Sequence, residues 1–185
     1  MSDSLALLEV SSLARGVVTA DAVVKRAPVE LLECGPVSPG KYLVLFAGGV
    51  AEVEEAALAG ARAAGDSLLD RLLLQQAHPQ VLPALRAGAR GCVHEAASDS
   101  AGMLEFLSVA AALRAADAAC KASEVRLQLL HLARGIGGKA WFIVRGDLDS
   151  VEAAVLAATQ SAGEGFLAGA EIIARPHADL RGRAL

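Results

Sequence analysis

Apolar residues fall in strand-length runs and helix-spaced stripes that alternate along the chain. Leu5–Val10 is a short apolar run. Ser12 stands where a helix N-cap is expected, ahead of a pattern that runs to about Arg26 and stops before Pro28. Val29–Cys34 then reads as a strand, Gly35–Gly40 (GPVSPG) as a turn-rich segment and Lys41–Ala47 as the next strand. Gly48-Gly49 leads into a helix from about Val50 to Ala64, with Val50, Val53, Ala57 and Ala61 on one face and Glu52, Glu55 and Arg62 away from it. Gly65 stops that helix, and Ser67–Gln75 is a further strand. Val81–Gly91, with Pro83 and two glycines, reads as a connecting segment.

The same order then recurs. Leu104–Leu107 is a strand candidate, Ser108 a cap, Val109–Ala122 a helix and Val125–Leu132 a strand. Ala133–Gly138 is a glycine-rich loop, Lys139–Arg145 a strand and Gly146-Asp147 a turn. A helix over Leu148–Ala162 follows, with Leu148, Val151, Val155 and Ala158 on one face; Gly163 stops it, and Phe166–Ala174 closes the set. Ser12 and Ser108, Ala20-Asp21-Ala22 and Ala116-Asp117-Ala118, Lys25 and Lys121, and Leu31 and Leu127 all lie 96 positions apart. Gly40-Lys41 and Gly138-Lys139, Gly48 and Gly146, Val53-Glu54 and Val151-Glu152, and Gly65 and Gly163 lie 98 apart, so the second loop is longer by two residues. His78 and His177 are 99 apart. This is an internal repeat. Its order β-α-β-β-α-β predicts an α+β chain of two tandem ferredoxin-like βαββαβ domains, 1–91 and 92–185, each with its helices on one side of an antiparallel sheet.

Composition adds one demand. The apolar fraction is 54%, the charged fraction 21% and the mean hydropathy +0.45, so extensive burial between modules or subunits is expected. No apolar run approaches the roughly 20 residues of a membrane span. Net charge is -4 and aromatics are 3%, with no basic patch, so no nucleic-acid partner is expected. Three cysteines, an odd number, suit a reducing cytosol better than a disulfide framework. The N-terminus MSDSLALLEV has neither a basic n-region nor a long apolar core, so no secretory signal is expected.

Candidate chemistry is sparse. Lys41 and Lys139 follow glycines, but GIGGKA is neither a Walker loop nor GxGxxG and does not open a helix. His78, His94, His131 and His177 are too far apart for a metal motif, and Cys92-Val93-His94 lacks a partner pair, so a structural role is expected for it. Cys120 takes the place that Val24 has in the first copy, which predicts core packing. Ser38 has no sequence-visible base to make it a nucleophile. Trp141 is expected to anchor a core or an interface. No metal site and no catalytic cluster emerge, and the chain is not read as an enzyme.

The strand LALLEV, the helices Ala20–Lys25 and Ala116–Lys121, the glycine-rich loops, the stretch VRGDLDSVEAA (Val144–Ala154) and the ending Arg175-Pro176-His177 together resemble the shell-protein domain of bacterial microcompartments. The resemblance covers nearly the whole chain twice, although Gly49 stands in the first copy where Asp147 stands in the second. Two such domains in this order resemble the tandem, unpermuted shell proteins. That resemblance implies a structural protein: a homotrimer shaped like a hexamer, tiling a shell facet in the cytoplasm. Its implied partners are single-domain hexameric and pentameric shell proteins, and small polar metabolites crossing a central pore. The pore is implied to be lined by Val37, Ser38, Pro39 and Gly40 from one loop and Gly135, Ile136, Gly137 and Gly138 from the other. Glycine allows close approach to an axis and offers backbone amides there. Lys25, Lys121 and Arg175 are implied at the tile edges, with Gln76 at the first-copy counterpart of Arg175. Some relatives hold an iron–sulfur cluster through Cys-Pro-Gly-Lys. Here the loop reads Ser38-Pro39-Gly40-Lys41, with Cys34 four residues earlier, so no cofactor is expected. A small-molecule-binding regulatory protein on the same tandem ferredoxin-like scaffold is the competing reading, since fold alone does not set function.

Overall fold

The computed structural model describes residues 4–88 and 100–180. Cys92 and His94, and the expected start of the second copy near Cys92, lie outside the described residues. The chain forms two compact units, one of Met1–Ala77 with Ala133–Gly138, the other of His78–Leu132 with Lys139–Leu185.

The first unit holds β1 (Ser4–Val10), α1 (Leu13–Arg26), β2 (Glu30–Val37), β3 (Lys41–Gly48), α2 (Val50–Ala64) and β4 (Leu68–Leu74). The sheet order is β2-β3-β1-β4, antiparallel throughout. The Ser12 hydroxyl accepts the Arg15 N–H and caps α1, whose last turn carries Lys25 and Arg26 against the negative helix end. Ala6, Leu8, Val44 and Phe46 on one sheet face meet Ala20, Val23, Val53 and Ala56 of the two helices. Leu5, Leu7, Leu43 and Leu45 on the other face are buried as well. A strand sealed on both faces reads as a continuous apolar run, which is what β1 shows.

α2 buries Val53, Ala56, Gly60 and Ala64, while Val50, expected inside, is exposed. The inward stripe is rotated from the expected one because its tightest position is a glycine. A Cβ on Gly60 would lie 2.5 Å from Leu8 Cδ1 and 2.6 Å from Val23 Cγ2. Helix and sheet approach here as closely as the missing side chain permits.

The second unit opens with α3 (Val81–Ala87) and continues with β5 (Ser100–Phe106), α4 (Val109–Ala122), β6 (Arg126–Leu132), β7 (Ala140–Gly146), α5 (Leu148–Ser161) and β8 (Leu167–Ile173). Its sheet order, β6-β7-β5-β8, repeats the first. The irregularities repeat too. Register shifts fall at Glu9/Val10 and Glu105/Phe106, and again at Leu31/Glu33 and Leu127/Leu129. Ser108 caps α4 as Ser12 caps α1. Asp147 caps α5 by accepting the Ser150 N–H and hydroxyl, and these bonds, the backbone one foremost, hold its carboxyl below the usual value. At Gly49 the first copy has no side-chain cap.

Two expectations change. Val81–Ala87, read as a connector, is a helix whose Val81, Leu82 and Ala84 are buried. Gln80 fixes its start, donating to the Val125 carbonyl and accepting the Leu127 N–H. The compact units accordingly divide after Ala77, where the sequence reading had kept residues through 91 with the first domain.

In an exposed helix, Gly→Ala gains roughly 1 kcal/mol of propensity. At Gly60 the packing conflict outweighs that gain, and Gly60→Ala lowers stability by about 1–2 kcal/mol. Gly169→Ala, where an added Cβ meets nothing within 4 Å, leaves stability unchanged or raises it. Urea denaturation of the two variants checks both outcomes.

Candidate functional site

The loop after β2 is tighter than expected. β2 continues through Gly35 and Pro36 to Val37, and Val37, expected on the loop, is a buried strand residue. The reversal is confined to Ser38-Pro39-Gly40, closed by the Gly40 N–H on the Val37 carbonyl. Gly40 sits at φ +110°, where a side chain would be strained. Ser38, Pro39 and Gly40 are exposed.

The second loop, Ala133–Gly138, belongs to the first compact unit. Gly135, Gly137 and Gly138 all have positive φ, and so has Ala133 at +50°. A Cβ on Gly138 would lie 2.7 Å from the Ser38 carbonyl oxygen and 2.8 Å from Pro39 Cδ. Both its conformation and its surroundings therefore require glycine. Arg134 adds an ion pair to Glu33 of β2. The structure thus brings Ser38, Pro39 and Gly138 together. Gly135 and Gly137 are exposed, and Ile136 is half-buried.

A lysine anchors each turn at its downstream end. Lys41 Nζ lies 3.1 Å from Glu9 of β1, and Lys139 Nζ lies 3.1 Å from Glu105 of β5. Both ammonium groups are committed to carboxylates, which argues against a phosphate cradle at either turn. The pairs share geometry but not environment. The Glu9 side chain is 0% exposed, and that of Glu105 is 44% exposed. Sequence reasoning missed these carboxylates and the Glu33–Arg134 pair. The available signal was the repeat itself, since Glu9 and Glu105 are 96 apart, in step with the other strand and helix markers.

The expected edge residues lie elsewhere on their units. Lys25 and Lys121 are in the last turns of α1 and α4, each bonded to the aspartate one helical turn back, Asp21 at 2.6 Å and Asp117 at 2.7 Å. Arg175 is exposed in the bend after β8, beside the buried Pro176.

The remaining candidates are structural. Cys120 is buried, and desolvation, with the Asp117 charge as a smaller cause, pushes its thiol up to about 12. Cys34 is exposed, 3.5 Å from the Tyr42 hydroxyl. That hydrogen bond and then burial push the Tyr42 phenol up to about 12. Trp141 packs against the Ala101–Ile143 cluster, as Met103, Leu129 and Ile173 do, and its ring is tilted against His131. Among the described residues no group of three or more His, Cys, Asp or Glu side chains is placed to hold a metal ion.

Comparison with known proteins gives a consistent answer. The BMC domain family matches residues 4–77 and again 100–176. The chain is 42% identical over 178 residues to the bacterial microcompartment shell protein PduT of Citrobacter freundii, covering 96% of this chain and 95% of that one. It is 43% identical over 82 residues to the carboxysome shell protein CsoS1A of Hydrogenovibrio crunogenus, covering 43% of this chain and 82% of that one. A crystal structure of a microcompartment protein from Desulfitobacterium hafniense superposes with a TM-score of 0.87 at 41% identity, covering 97% of this chain and 98% of that one.

The two lysine anchors make opposite predictions. Lys41→Met strips the cation from a carboxylate sealed from water and costs roughly 3 kcal/mol. Lys139→Met, beside a carboxylate open to solvent, costs at most about 1 kcal/mol. Thermal and urea unfolding of the two variants should separate by that margin, and equal losses would contradict the burial argument.

Proposed function

The chain belongs to the BMC domain family, and from that membership we propose that it is a structural shell protein of a bacterial microcompartment. Three copies supply six βαββαβ modules, forming a pseudohexameric tile of the shell facet with a central pore. The observation that carries this reading is the double family match, supported by equivalent glycine turns and Lys–Asp helix pairs in both repeats. The pore rim is assigned to Val37, Ser38, Pro39 and Gly40 and to Gly135, Ile136, Gly137 and Gly138. Exposed Ser38 gives the rim three hydroxyls, suited to small polar metabolites, while buried Val37 braces the turn from beneath. Lys25, Lys121 and Arg175 are assigned to contacts with neighbouring tiles, including single-domain hexamers and pentamers. The tile sits in the shell, within the cytoplasm, and its role is structural rather than catalytic.

No iron–sulfur cluster belongs to this pore. Ser38 offers a hydroxyl where a cluster needs thiolate, and Cys34 lies back on β2 against Tyr42. Protein purified without oxygen should contain far less than stoichiometric iron and sulfide; stoichiometric amounts of both would overturn this.

Electron microscopy of concentrated protein, alone and with single-domain shell proteins, should show flat sheets or closed shells. Lys25→Glu with Lys121→Glu should abolish sheets and leave trimers intact. Lys25→Glu sets a glutamate beside the exposed Asp21, a penalty of only about 0.2–0.5 kcal/mol. Lys121→Glu strips the cation from the buried Asp117 and costs more, so circular dichroism of the double variant must first show an unchanged fold. Trimers that fall apart would refute the edge assignment. A discrete oligomer that never tiles, together with a saturable small-molecule ligand, would favour the regulatory reading.

A further inference from the structure

The first helices of the two repeats carry the same stripe in opposite states. Leu13, Val17, Asp21 and Val24 lie on one face of α1, and their counterparts on α4 are Val109, Leu113, Asp117 and Cys120. On α4 all four are buried, Leu113 at 0% exposure and Cys120 at 5%. On α1 the apolar members are open, Leu13 at 48%, Val17 at 58% and Val24 at 44%.

Within the second unit, part of the cover on α4 is visible. The His78 backbone N–H donates to Asp117 Oδ1 at 2.7 Å, while Lys121 holds Oδ2. The chain then enters α3, which touches α4 and β6 and buries Val81 completely. This segment follows the last strand of the first repeat. Its counterpart follows the last strand of the second repeat and folds into the same turn. In one, the Val81 N–H donates to the His78 carbonyl and the Gln80 N–H to His78 Nδ1. In the other, the Leu180 N–H donates to the His177 carbonyl and the Asp179 N–H to His177 Nδ1. Leu180, the equivalent of buried Val81, is 40% exposed.

We infer that the open stripe of α1 seats the His177–Leu180 turn of a second copy of this chain, with Asp21 accepting the His177 N–H of that copy and Leu180 covering Val17. The inference rests on the trimeric reading above and names its joint. The contact is heterologous, seat to turn, so it propagates head to tail, and the trimeric reading closes it as a ring of three. Two repeats with one internal seat filled leave one seat and one turn per chain, which is the requirement for such a ring. Asp21 already holds Lys25 through Oδ2, as Asp117 holds Lys121.

The test is light scattering on the full chain with Val17→Asp, Leu180→Asp and, as a control, Val18→Asp. Val18 lies off the stripe, and its counterpart Arg114 already carries charge. The unaltered chain and the control should run at three times the 18.9 kDa chain mass. The other two variants should run as monomers with unchanged circular dichroism. Mixed in equal amounts, they should form a dimer, because one keeps a sound turn and the other a sound seat. That pairing also shows that both remain folded. Trimers that persist in either variant, or a mixture that fails to pair, would overturn this joint and leave the trimeric reading standing. An unaltered chain that stays monomeric would overturn both.

Discussion

The first helix of the βαββαβ repeat cannot bury all of its apolar surface against its own sheet, and much of the architecture follows from that. One side of α1 packs Ala20 and Val23 onto β1 and β3. A second side still presents Leu13, Val17 and Val24. Repetition within one chain meets this need once, since the equivalent surface of α4 is sealed. The high mean hydropathy of +0.45 is thus a matter of arrangement as well as of core size. Fully burying a leucine or valine side chain is worth about 1.5–3 kcal/mol. The stripe carries three such residues.

Against that apolar demand, polar contacts fix the turns. Each loop is held at its exit by a lysine reaching back to the glutamate of the repeat's first strand. The second loop is held further by Arg134 on Glu33 and by the fit of Gly138 against Ser38 and Pro39. Buried Glu9 and half-open Glu105 hold the same ion-pair geometry in two environments: in the first copy removing the cation is costly, and in the second the pair is screened by solvent. The anchors explain why glycine-rich loops with positive φ at several positions hold one shape.

Much of the fold was legible because the repeat doubles every signal. Ser12 and Ser108 were found as caps, and six of eight strands lie within two residues of the expected ends at both termini. Of the two exceptions, β5 starts at Ser100, four residues ahead of the expected Leu104, because Ser100, Ala101 and Gly102 are small and give little apolar signal; the other is β2. β2 runs through Gly35-Pro36, since an edge strand tolerates proline. The connector is a helix because Pro83 lies in its first turn, where amides have no helical partner, and Gly88 ends it at φ +57°. Read without the fold, the same residues look like linker. The α2 stripe was misplaced by half a face because its innermost residue, Gly60, has no hydrophobicity to detect. Ion pairs between strands escaped notice because their partners are over thirty residues apart in sequence.

The two turns also explain why a fused chain differs from a simple repeat of one module. A six-fold ring of identical loops can vary its rim only by changing all six positions together. In a fused chain one loop can be Ser-Pro-Gly, bent sharply and carrying a hydroxyl, while the other is longer, has no hydroxyl and is rich in left-handed glycines. Gly138 makes that difference possible. It lets the longer loop rest against the shorter one at a distance no other residue allows, so the two shapes are solved together rather than independently. A substitution in one loop must therefore be read against the backbone of the other. The same logic applies on the helices, where Asp21 and Asp117 share one role but meet different surroundings, one at an open surface and one beneath the turn that follows the first repeat.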